Sequence, residues 1–177
     1  MTQQYFSDDE WSVLVQSPLQ AVVALTLSDK TDPVSFLKEL QAGVQILSSE
    51  QQRQDISNDL VKSLIASLND LDAKQSLQGA DLALKKEFEL VGYLRNLTNA
   101  DEGRQKAIAH FEKVASILAS KVTGVQAAEF RAWLLSIAQR VAEAVKEGGF
   151  MGIGGEKVSD SERSILKKLE QTLQYQP

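Results

Sequence analysis

The sequence contains no cysteine. That removes disulfides, thiol nucleophiles and thiolate metal sites together. It contains one histidine, His110. A carboxylate-bridged metal centre in a helical bundle draws on Glu-x-x-His pairs, yet the residue three before His110 is Ala107, and there is no second histidine. No serine stands in a Gly-x-Ser-x-Gly turn, although a Ser-His-Asp arrangement assembled only in space would leave no mark on the sequence. His110 sits at the border of an apolar helical stripe, and a boundary ring packed on its neighbours is the plainer reading. No catalytic residue, metal ligand or cofactor site is therefore expected.

Proline and glycine are scarce, three and ten of 177 residues, while 43% of the chain is hydrophobic and 24% charged. These values fit neither disorder nor a fibrous repeat. A chain of this length hides about 70% of its unfolded surface, enough for one real core. A single domain spanning 1–177 is expected. The net charge is −5, with both signs mixed along the chain. No basic face marks a nucleic-acid partner.

Met1 to Glu10 carries no positive charge and no apolar run, so no secretory signal is read there and a cytoplasmic location is expected. Trp11 to Ser28 has no charge, but Gln16, Ser17, Pro18 and Gln20 interrupt it. About twenty mostly apolar residues are needed to cross a bilayer. The stretch reads as a buried core helix, and stable membrane insertion is not expected.

Helix signals recur from end to end. Ser7-Asp8-Asp9-Glu10 is a capping box, and acidic residues suit a helix N-terminus. Ser17-Pro18 reads as a cap followed by a first helical residue, predicting a break or kink. Asp32-Pro33 repeats the signal and opens a helix to about Leu47; Asp29 and Asp32 flank Lys30-Thr31, but a calcium loop needs more oxygen ligands. A further helical region covers about Gln51 to Asn69, with Ser57 as an internal start. The segment from Asp70 to Gly79 reads as a loop.

Helix resumes from Ala80 to Leu97, where Leu84, Phe88 and Val91 share a face. The next, about Glu102 to Val122, carries the stripe Ala107, Ile108, Phe111, Val114, Ala115 and Leu118. Thr123 with Gln126 opens another. It has Phe130, Trp133, Leu134, Ile137, Ala138, Val141 and Val145 on one face, and Ala128, Ala132, Leu135 and Ala142 elsewhere. Apolar on nearly all sides, it reads as the central helix, with Arg140, Glu143 and Lys146 spaced to pair across solvent. Gly148-Gly149 stops it. Ser159 with Glu162 caps a last helix to about Gln174. No segment alternates like a strand. The expected fold is an all-α bundle of seven or eight helices.

One segment departs from this pattern. Gly148, Gly149, Gly152, Gly154 and Gly155 are interleaved with Phe150, Met151 and Ile153. It is not a phosphate-binding loop, because no Gly-Lys-Ser/Thr follows and no strand precedes. Two readings stand. Phe150 and Ile153 plug the open end of the bundle, since large apolar side chains seek burial; or the loop is mobile and exposed, as a lid or a docking surface for a protein, lipid or ligand. Lys157 and Ser159, at the start of the last helix, are a candidate anion site in the second case.

From Glu147 to Glu162 the run Glu-Gly-Gly-Phe-x-Gly-x-Gly-Gly-x-x-Val-Ser-x-x-Glu resembles the C-terminal mark of a family of small uncharacterised bacterial all-helical proteins. The helix, Gly-turn, Val-Ser-x-x-Glu, helix pattern is also similar to tellurite-resistance-B-like helical domains. Those carry acidic residues in the turn, where this chain has Gly154-Gly155-Glu156. The resemblance implies an all-helical fold and supplies no catalytic residue. The expected role is a non-enzymatic interaction protein, self-associating through the Gly-rich loop. The alternative is a ligand-binding or enzymatic bundle closed by that loop.

Overall fold

The first helix begins where the sequence predicts. The Glu10 N–H donates to Ser7 Oγ at 3.2 Å, and the Ser7 N–H donates back to Glu10 Oε2 at 2.7 Å. In the computed structural model, which describes residues 3–28, 33–122, 124–147 and 158–174 (33–35 and 145–147 as backbone only), this helix is α1, Asp8–Thr26. It does not break at Pro18, contrary to expectation. Proline has no N–H for the carbonyl four residues earlier, but the Ser17 hydroxyl donates to Leu14 O at 2.7 Å. The orphaned acceptor is satisfied, and the run from Gln20 to Leu27 is buried.

Among the described residues, six more α-helices follow and no strand: α2 Pro33–Gln51, α3 Asp59–Ala73, α4 Gly79–Arg95, α5 Ala100–Lys121, α6 Gly124–Glu147 and α7 Asp160–Gln174. A 3-10 turn, Gln3–Tyr5, precedes α1. The all-α expectation and its helix count hold.

Two boundaries differ from the sequence reading. The helix placed at Gln51–Asn69 is instead the end of α2, a non-helical link, and α3. Asn58, not Ser57, caps α3: its Oδ1 accepts from the Val61 N–H at 3.0 Å, while its Nδ2 donates to Gln126 O and Glu129 Oε2 of α6, each at 3.0 Å. A cap that also ties two distant helices together has a tertiary reason that local spacing does not reveal. The loop expected from Asp70 to Gly79 shrinks to 74–78, because α3 runs through Ala73. Gly79 starts α4 at φ +56°, a left-handed value that favours glycine.

Helix α1 packs against α2, α3, α5, α6 and α7. Helix α6 packs against α1, α2, α3 and α7. The centre is thus shared, and α6 is less surrounded than its composition suggests, since Ala128 and Ala132 face solvent. Phe130, Leu134 and Ile137 of α6 meet a core that includes Leu14 and Val22 of α1, Phe111 and Leu118 of α5, and Leu169 and Leu173 of α7. The stripe read on α5 is buried apart from Ile108, which is half-buried. Where α2 crosses α1, a Cβ on Gly43 would collide with Val22 Cγ1. The Ser159–Glu162 box is formed, with bonds of 2.6 and 3.1 Å, and opens α7. The expectations for Asp29, Asp32, Thr123, Val145, Lys146 and Gly148-Gly149 fall outside the described residues or side chains.

On helix α4 the run Leu84, Phe88 and Val91 is split: Val91 is half-buried against the core, and the other two are not. Leu84 and Phe88 are 52% and 67% exposed, and its buried residues are Leu90 and Leu94. The inward side also carries Lys86 and Tyr93. A lysine in the middle of that stripe disguises it, and the cleaner run of Leu84, Phe88 and Val91 looks like the buried face.

Candidate functional site

Beneath α4 lies a pocket of about 340 Å³. Its wall is mainly apolar and comes from five helices: Val15, Pro18 and Leu19 of α1, Val44 and Leu47 of α2, Ile65 and Leu68 of α3, Leu90 and Tyr93 of α4, and Trp133 of α6. Small-molecule sites are commonly concave, about 300–1,000 Å³, and apolar with a few placed polar groups. The residues are distant in sequence and meet because α4 crosses the open side of the bundle, packed on α2.

Glu50, at the end of α2, reaches the pocket from the bundle side and is 3% exposed. The Trp133 Nε1–H donates to its Oε2 at 2.8 Å, Arg53 Nη1 donates to the same oxygen at 3.1 Å, and Arg140 Nη1 donates to Oε1. Arg140 Nη2 also reaches Ser49 Oγ at 2.9 Å. Arg140 therefore crosses to α2 rather than pairing with Glu143, as helical spacing suggests; Glu143 accepts from Gln139 at 2.7 Å. Arg53 holds Asp55 with bonds of 2.9 and 2.7 Å. The guanidinium pulls the Asp55 carboxyl down to about 2, and Asp55, with Glu50, raises the Arg53 pKa. A carboxylate so fully engaged fastens α2 to α6 and presents the tryptophan ring to the pocket.

At the mouth, Asp72 of α3 accepts from Lys86 Nζ of α4 at 2.5 Å and from Gln51 Nε2 of α2 at 2.8 Å. Lys86 Nζ also lies 3.2 Å from Gln51 Oε1. The same three residues border a second, more polar hollow of about 470 Å³, with Ser48, Ser49 and Asn69.

His110 is half-buried on α5, and its Nε2–H donates to Val13 O of α1 at 2.9 Å. Burial foremost, then Lys113, lowers its pKa against the opposing pull of Val13. It packs at a helix seam away from the pocket lining. Among the described residues no three His, Asp or Glu side chains are grouped to hold a metal ion, and no helix is long and apolar enough to cross a membrane.

Of the residues singled out in the sequence, Gly148 to Gly155 and Lys157 lie outside the described residues. Ser159 is spent as the cap of α7, its hydroxyl accepting from Glu162 N–H. Glu50, Asp72, Lys86 and Trp133 were not picked out as a site, since three of them look like ordinary helix-surface charges. The one usable signal was Lys86 within an otherwise apolar stripe. Fold and site together define an all-α bundle with a mainly apolar pocket roofed by a peripheral helix. No family model matches the chain, and no curated protein or solved structure matches it either.

Proposed function

We propose that this protein is a non-enzymatic binding module whose pocket beneath α4 receives a small, mainly apolar molecule. The carrying observation is the pocket itself: apolar walls from five helices, with Trp133 held in place by Glu50. The carboxylate nearest the core is engaged by Arg53, Arg140 and Trp133, so it serves to hold the wall together. A cytoplasmic location and kinship with the small bacterial helical proteins belong to the same proposal.

The test is titration with N-phenyl-1-naphthylamine, a neutral apolar probe, read by Trp133 fluorescence in a Trp11→Phe background. Saturable quenching is expected, and Leu47→Phe/Leu68→Phe, which fills the pocket, abolishes it. Equal binding by the filled variant refutes this reading.

A second reading, an interaction protein that associates with itself or a partner, draws on Leu84 and Phe88, which stand exposed side by side on the outer face of α4. The Gly-rich loop at 148–155 belongs to that proposal too. Light scattering on Leu84→Ser/Phe88→Ser and on Phe150→Ser/Ile153→Ser variants tests it. Association that survives in both variants argues against both surfaces.

A further inference from the structure

We infer that the pocket beneath α4 selects an uncharged ligand, an apolar body with at most one hydrogen-bonding end, and that the Asp72–Lys86 pair at its mouth sets that preference. This rests on the pocket reading above and adds the ligand class. Four charged residues line the pocket: Glu50, Asp72, Lys86 and Glu89. Each already has a counter-ion. Glu50 is held by Arg140 and Arg53. Asp72 and Lys86 hold one another, with side chains 24% and 26% exposed. Glu89, at the rim and 64% exposed, pairs with Lys85 at 3.4 Å.

An ionised head group entering this site gives up water and finds no unmatched opposite charge. It must either stay desolvated or take a partner from an existing pair, and both are unfavourable. A neutral molecule meets no such penalty. Its one polar end has a place to go, because Gln51, Asp72 and Lys86 stand between the apolar pocket and the polar hollow. A hydroxyl or amide there reaches donors and acceptors on the Gln51 side chain and beyond it on Ser48 and Asn69.

The pair is the point of control because removing either member exposes the other. Asp72→Asn leaves the Lys86 ammonium unmatched and favours a carboxylate. Lys86→Met leaves the Asp72 carboxylate unmatched and favours a quaternary ammonium.

The experiment displaces N-phenyl-1-naphthylamine with 1-decanol, decanoate and decyltrimethylammonium at pH 7.5, each below its micellar concentration. Native protein is expected to bind the alcohol about tenfold more tightly than either ion, the change that one small free-energy step of this kind produces. Asp72→Asn raises decanoate relative to decanol, and Lys86→Met raises the ammonium. The exchanged pair Asp72→Lys/Lys86→Asp restores the neutral preference and guards against a variant that merely misfolds, as does circular dichroism on each. Decanoate or the ammonium binding native protein as tightly as decanol overturns the inference and leaves the pocket standing. So does an unchanged order of the three ligands in both single variants. Failure of all three to displace the probe, or of the probe to bind, takes the pocket reading down as well.

Discussion

Helices α1 and α4 are nearly the same length, 19 and 17 residues, and meet the rest of the molecule in opposite ways. Helix α1 packs against five others, and every residue from Gln20 to its end is buried. Helix α4 buries Leu90 and Leu94 and shows Leu84 and Phe88 to solvent. The first is held by the core from all directions. The second is held by a few apolar contacts and by polar bonds from Lys86 to Asp72 and Gln51. Local stability follows the number of buried apolar contacts, so the element that roofs the pocket is also the one most readily displaced.

Five measurements break or sharpen the contrast. The largest effect is expected at Leu14, fully buried on α1: Leu14→Ala costs about 3 kcal/mol in denaturant melts, by lost transfer energy and an unfilled cavity. In hydrogen exchange, α4 amides are expected to open well before those of α1, and Leu90→Ala to accelerate α4 alone. Equal protection of the two helices breaks the comparison. Glu50→Ala comes next, at about 2 kcal/mol, because Trp133 Nε1 loses its acceptor while the two arginines regain water. Trp133 fluorescence in that variant shifts with the loss.

Gly43→Ala, where α2 meets α1, is expected to cost about 1–2 kcal/mol, since the branched Val22 side chain yields poorly. A neutral result there means α2 is as loosely seated as α4. The smallest effect is the pH dependence of His110. Its folded pKa is lowered, foremost by burial, from an ordinary 6.5. The contribution to stability is therefore complete above 6.5 and is lost as pH falls through the lowered folded value. Melts between pH 5 and 7 show this component in the native protein. His110→Ala is expected to fold and to lack it.

Much of the helix pattern was legible, and for local reasons. Ser7 with Glu10 and Ser159 with Glu162 act within four residues of chain, and both boxes are formed. Misreadings occur where a distant residue decides. Ser17-Pro18 looks like a helix start until Ser17 is seen to supply the hydrogen bond that the proline withholds. Asn58 is chosen as a cap by α6 as much as by α3. Arg140 has a suitable partner three residues on, yet pairs with Glu50, 90 residues away in sequence. The pocket was the least legible part, because its wall takes no more than four residues from any one of five helices, and its charges look like solvent-facing ones.

The sequence by itself determined that the fold is all-α, where most of the described helices start, and that no disulfide crosslinks it. Caps, propensity and a 3.6-residue apolar period act over one or two turns and can be read in order. Only the tertiary structure decided which face of α4 turns inward, which helices share the centre, and which charges meet. Those choices depend on the summed packing of every helix against the others. For α4, a lysine faces the bundle because an aspartate and a glutamine from two other helices stand within reach of its Nζ.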